Sequence, residues 1–218
     1  VLMGYGLPAV VASLWGDPWG GFLVAGLARM VVNHHTTFCI NSVCHYVGTQ
    51  PYSDSHSARD SWIAALLTYG EGYHNFHHEF QYDYRNGIRL FHWDPSKWFI
   101  IALKWMGMAT QLRQARQEHI LQARLLMEQK WVERHLVTYS ESVQMRAREM
   151  LTAAGKRLQE ACVQFQTLKQ DYQRIKHDRL ASLTTSLEEY RQQLRSAQRE
   201  FQQALVEWRQ IIRGPALF

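Results

Sequence analysis

"GEGYHNFHHEF", residues 70–80, places three histidines within five consecutive positions. His74, His77 and His78 stand at i, i+3 and i+4, so a helix turns all three rings toward one spot. Neutral imidazole ligates zinc, copper, iron and nickel. One histidine on an apolar face is most often a core residue. Three that converge behind a Gly-Glu-Gly segment read as metal ligands.

The sequence upstream is strongly apolar. "VLMGYGLPAVVASLW" (1–15) leads into a turn, "GDPWGG", and then into "WGGFLVAGLARMVVNHHTTFCINSVCHYVG" (19–48), which has the single charge Arg29. This pattern predicts two membrane spans, at about 1–14 and 18–47, joined as a helical hairpin. The chain opens at Val1 inside an apolar run, without a methionine, and reads as a truncated product or a fragment. Polar groups are expensive inside a bilayer and mark a functional interior. In the second span, His34, Thr37 or Phe38, Asn41 and His45 recur at three- and four-residue steps and share one face. His45 is thus a fourth candidate ligand. Asn41, one turn earlier, suits a metal-bound water or an interhelical hydrogen bond. His34, His35, His56 and His92 read as surface or supporting residues. Residues 49–61 form a polar connector, and "WFIIALKWMGMA" (98–109) reads as an interfacial amphipathic helix.

Beyond Thr110 the composition changes. Residues 1–110 carry six Lys/Arg and seven Asp/Glu, a net of −1, and eight of the eleven histidines. Residues 111–218 carry 18 Lys/Arg and 12 Asp/Glu, a net of +6, which favours an anionic membrane surface over nucleic acid as a partner. Apolar residues there step 3, 4, 3, 4 from Leu151 to Ile175 and again from Leu180 to Ile211, the signature of a coiled coil. The frame slips by one residue between the runs. Because "KHDR" is a weak turn, one continuous helix over 150–212 is preferred to a hairpin. Its seam is Leu151, Leu158, Phe165, Leu187, Leu194 and Phe201, buried by self-association, a partner helix or a folded-back bundle. Cys39, Cys44 and Cys162 match no zinc or disulfide pattern and read as reduced thiols of an intracellular compartment.

"NHHTTFCINSVCHYVGTQPYSD" with "WIAALLTYGEGYHNFHHEFQYDYRNG" resembles the C-terminal half of membrane fatty-acyl desaturases of the Δ9 type, over roughly residues 1–110. "GEGYHNFHH" is similar to that family's third histidine box and "NSVCH" to its Asn-x-x-x-His element. The resemblance implies that His45, His74, His77 and His78 ligate two irons, that Asn41 acts through a water, and that Thr37 and Phe38 line a bent substrate tunnel. It implies O2-dependent removal of two hydrogens from adjacent methylenes, leaving a cis double bond in a fatty acyl-CoA or acyl-lipid. It also implies an electron donor of the ferredoxin or cytochrome b type. The family's two earlier boxes, HxxxxH and HxxHH, do not occur upstream of this hairpin. Two alternatives stand beside this reading: a non-catalytic, membrane-anchored coiled-coil scaffold and a di-iron lipid hydroxylase.

The expected fold is therefore all-α. A membrane hairpin and a cytosolic histidine-rich helical cap fill 1–110, and a basic coiled-coil extension fills 111–218. The expected location is a bacterial inner membrane with the active site on the cytoplasmic side.

Overall fold

The computed structural model describes residues 2–137, 139–177 and 184–213, with side chains for all of these except 177 and 184–187. The described residues are helical with no strand; the only ladder contacts are the isolated bridges Thr49–Asp60 and Asp60–Tyr73. The chain divides into two compact units, Val1–Gln114 and Ala115–Phe218.

Unit 1 opens with a π-helical turn, Leu2–Gly6, running into α1 (Leu7–Ser13). Asp17 caps the next helical run by accepting a hydrogen bond from the Gly20 amide (2.8 Å). That run comprises α2 (Pro18–Gly20), a π-helical stretch (Gly21–Ala28) and α3 (Arg29–Asn41). It folds back along the first: Gly21 lies against Pro8 and Ala12, and Gly26 against Gly4 and Tyr5. Arg29 turns inward to the Gly4 carbonyl (3.1 Å).

This hairpin corrects the expected spans. No helix among the described residues is long and apolar enough to cross a membrane. The second run stays free of Asn and His only from Pro18 to Val32, with Arg29 inside that stretch, before Asn33, His34 and His35. At 1.5 Å per residue this is roughly 22 Å, against a hydrocarbon core of about 30 Å. The helix also breaks at Ser42 and resumes as α4 (Val43–Tyr46).

The rest of unit 1 packs short helices under irregular loops: α5 (Trp62–Leu67), α6 (His74–Glu79) and α7 (Pro95–Trp105). Helix α7 begins three residues before the expected 98, because Asp94 caps it through the Lys97 amide (2.9 Å).

In unit 2, α8 (Gln117–Leu136), α9 (Glu141–His177) and α10 (Thr184–Arg213) enclose one apolar core. Leu125, Val132 and Leu136 of α8 meet Leu151, Ala154 and Leu158 of α9 and Ala204, Trp208 and Ile211 of α10. The continuous helix expected over 150–212 is instead two antiparallel helices. Arg157 pairs with Glu207 (2.9 Å), Phe165 stacks on Phe201 (centroids 6.1 Å), and Arg191 reaches the Tyr172 hydroxyl (3.0 Å). Both heptad faces are the buried faces, so each half covers the other, as in a folded-back bundle. The frame slip falls between the two heptad runs, one on each helix. The seam positions Leu180, Leu183 and Leu187 fall outside the described residues or side chains.

Candidate metal centre

The box helix α6 is short and lacks a cap of its own. Asp60, from a distant loop, supplies one: its Oδ1 accepts from the Asn75 amide (2.8 Å) and the Phe76 amide (3.1 Å), free donors of the first turn. The glycines before the box have steric causes. Gly72 lies on the backbone of Ala64 and Ala65, and Gly70, at φ +105°, lies on Asp94. Between them Glu71 accepts from Asn86 Nδ2 (2.9 Å), tying the box to the "YRNG" turn. Asp94, fully buried, gathers that turn by accepting from the amides of Asn86, Gly87 and Lys97. The Lys97 ammonium, also buried, donates to the carbonyls of Gly87 and Arg89.

Asn75 is the second organiser. Its side chain, wholly buried, accepts from the amides of Tyr52 and Ser53 and donates to the carbonyls of Ser53 and Ala58. The connector over 52–60 is thereby pinned to α6. It carries Ser57, whose hydroxyl holds His45 Nδ1 at 2.8 Å.

The result is a convergence of three imidazoles. His74 Nε2 lies 3.2 Å from His45 Nε2 and 3.1 Å from His78 Nε2. Three ligands around one ion at 2.0–2.1 Å in tetrahedral geometry stand about 3.3 Å apart, so the spacing suits a metal. Ser57 holds the His45 ring from behind, as partners of metal-bound histidines do. Among the described residues no acidic side chain joins the three, so their donor set is all nitrogen.

Other expected site residues lie elsewhere. His77 stands one ring away, with its centroid 6.1 Å from His74 and 5.9 Å from His78, outside the cluster. The i, i+3, i+4 pattern thus delivers two of its three rings: His77 and His78 stand about 100° apart around the helix, and only His78 turns toward His74 and His45. Asn41 is exposed at the end of α3. Thr37 donates to the Asn33 carbonyl (2.9 Å), and Phe38 is 62 % exposed beside His34 and His35. Ser57, Asn75 and Asp60 went unread in the sequence. Their types are common in loops, and only the fold gives them their roles.

Burial, and then the neighbouring His78 and His45, lower His74 from the ordinary 6.5 to about 4. Burial lowers His78 in the same direction. Burial raises Asp60 from 3.8 to about 6, despite its two backbone donors. The two shifts act oppositely on stability. The folded state resists protonation of His74, so its contribution is present above 6.5 and lost as pH falls toward 4. The folded state favours protonation of Asp60, so acid stabilises through it between about 6 and 3.8. In metal-free protein the two offset between about pH 6 and 4. Asp60→Asn removes the opposing effect, and its urea midpoint should fall more steeply across that interval than the wild-type midpoint. Parallel curves would refute this assignment.

Sequence comparison bears directly on this arrangement. The chain is 44 % identical over 131 residues to acyl-CoA desaturase 1 of Saccharomyces cerevisiae and 52 % over 99 residues to a probable acyl-CoA desaturase of Schizosaccharomyces pombe. About half of this chain is similar to acyl-CoA desaturases. Stearoyl-CoA desaturase 5 of Homo sapiens is 33 % identical over 117 residues. The matches cover 60 %, 45 % and 53 % of this chain, and 26 %, 21 % and 36 % of the respective relatives. The chain therefore spans about a fifth to just over a third of the desaturases it matches. No family model matches it. These relatives are fungal and animal, and the bacterial placement expected from the sequence finds no support among them.

Proposed function

We propose that unit 1 is the C-terminal part of an acyl-CoA desaturase, with its histidine cluster as half of a di-iron centre. The observation that carries this reading is the convergence of His45, His74 and His78 within a segment similar to acyl-CoA desaturases. Bound iron would supply the one-electron and O2 chemistry that removes hydrogen from a saturated acyl chain. The chain's own residues aim the imidazoles. Ser57 orients His45, Asp60 sets the start of α6, and Asn75 locks the connector against it. The remaining ligands would come from the two histidine boxes that these 218 residues do not contain. Asn41 would act through a water, and Thr37 and Phe38 would line an acyl tunnel completed by the rest of the protein. An electron donor of the ferredoxin or cytochrome b type would reduce the irons.

The hairpin surface favours a bilayer setting. Leu2, Met3, Val10, Leu14, Leu23, Val24 and Val32 are all exposed, a patch that lipid would cover. In this reading the hairpin enters the membrane rather than crossing it alone. Ser53 and Gln81 lie on the same, cytoplasmic side.

The test is a chimera in which residues 1–110 replace the matching segment of a yeast acyl-CoA desaturase, in a host that lacks its own. Growth without supplied unsaturated fatty acid and about two irons per chain are expected, as the family resemblance implies. His77→Ala should lose activity in the chimera, because the family resemblance makes this ring an iron ligand. A chimera that assembles without iron would leave the scaffold reading standing instead.

A further inference from the structure

The connector pinned by Asn75 brings two side chains to the cluster, and Ser57 is only one of them. His56 lies against His78, with ring centroids 5.1 Å apart and planes at 45°. Both His56 ring nitrogens are buried, and neither has a hydrogen-bond partner. Buried polar atoms are nearly always paired. A histidine packed only for its shape keeps at least one nitrogen bonded. The backbone fixes where this ring sits: Gln50 Nε2 donates to the His56 carbonyl (2.6 Å), and the Ala58 carbonyl two residues on is held by Asn75. Among the described residues no group satisfies the ring, and it packs against the His78 imidazole.

We propose that His56 is a further metal-binding imidazole of this centre, joining His45, His74 and His78 around a divalent transition-metal ion. The proposal rests on the reading of that cluster as a metal centre. His56 belongs to neither of the two elements that carry the resemblance to desaturases, "NSVCH" and "GEGYHNFHH". Its nitrogens stand outside the tight group of three, so it enters by side-chain rotation from a fixed backbone. Four neutral nitrogens suit the borderline ions Fe2+, Co2+ and Zn2+.

Co2+ alone is the probe, titrated into the whole 218-residue chain in detergent and followed by visible absorption. Wild type should bind Co2+, and His45→Ala should abolish binding. His56→Ala and His56→Gly should weaken it at least tenfold and alter the visible bands, with helical content unchanged. Added imidazole should restore affinity and bands to His56→Gly, which a merely structural role would not allow. If the wild type binds no Co2+, or His45→Ala binds normally, the metal centre itself is refuted and this proposal with it. If His45→Ala fails while the His56 variants bind as wild type, or if imidazole rescues nothing, only the role of His56 is refuted.

Discussion

Gly72→Ala should unfold the histidine cap and remove metal binding. A Cβ at this position would fall inside contact distance of Ala65 N and Ala64 C and within 2.5 Å of Ala65 Cα. All three are backbone atoms of α5, so no rotamer change relieves the overlap. Helix α5 must move off, and it takes with it the bond from the Ser61 amide to the Gly72 carbonyl (2.8 Å) and the Asp60–Tyr73 bridge. Asp60 then no longer caps α6. Inserting one methyl into packed structure commonly costs about 1–3 kcal/mol, and immovable neighbours place this case at about 3 or more. Urea denaturation and Co2+ titration measure both consequences. Gly107→Ala is the comparison. It also has a positive φ, +73°, but open space around it, and should cost only about 1–2 kcal/mol with binding intact. Equal behaviour of the two variants would defeat the steric argument.

Trp208→Ala should cost unit 2 about 3–5 kcal/mol, the usual penalty for emptying a large aromatic site. Trp208 is 1 % exposed and lies against Gly155, where an added Cβ would press on the ring at 3.2 Å. Its Nε1 donates to Glu128 Oε2 (2.6 Å), joining α10 to α8 as well as to α9. In a unit of this size the loss should lower the melting temperature by roughly 15 °C or more. Trp208→Phe keeps most of the contact and forfeits the hydrogen bond, so it should lose about 1 kcal/mol. Loss of helical signal on heating reports both. An unchanged transition in Trp208→Ala would mean that the three helices do not share this core.

How far the sequence could be read followed the range of the interactions involved. Helical spacing is local, so His74 and His78 were legible from residues 70–80, as was the apolar face from Leu151 to Ile175. The role of Ser57 was not legible, because a serine in a polar connector reads as solvated until a buried Asn75 folds that connector onto the box. His56 was set aside for the same reason. The hairpin of α9 and α10 was misjudged because a one-residue slip in a heptad fits both a skip and a reversal. The choice depends on which aromatic faces which: Phe165 meets Phe201 across the pair, a long-range fact. The expected second span failed on length, since the count of apolar residues included the polar turns from Asn33 onward.

The antiparallel register of α9 and α10 has a consequence for how this protein tolerates changes in length. Each level of the pair joins a residue from one arm to a residue from the other. Trimming both arms together from the ends at His177 and Thr184 shortens the pair and leaves every remaining level matched. Deleting one residue near Phe165 is a different event. It turns everything beyond it by about 100° relative to the opposite arm and carries apolar side chains into water. Insertions and deletions should therefore be absorbed at one end of the helical pair and rejected along its shaft.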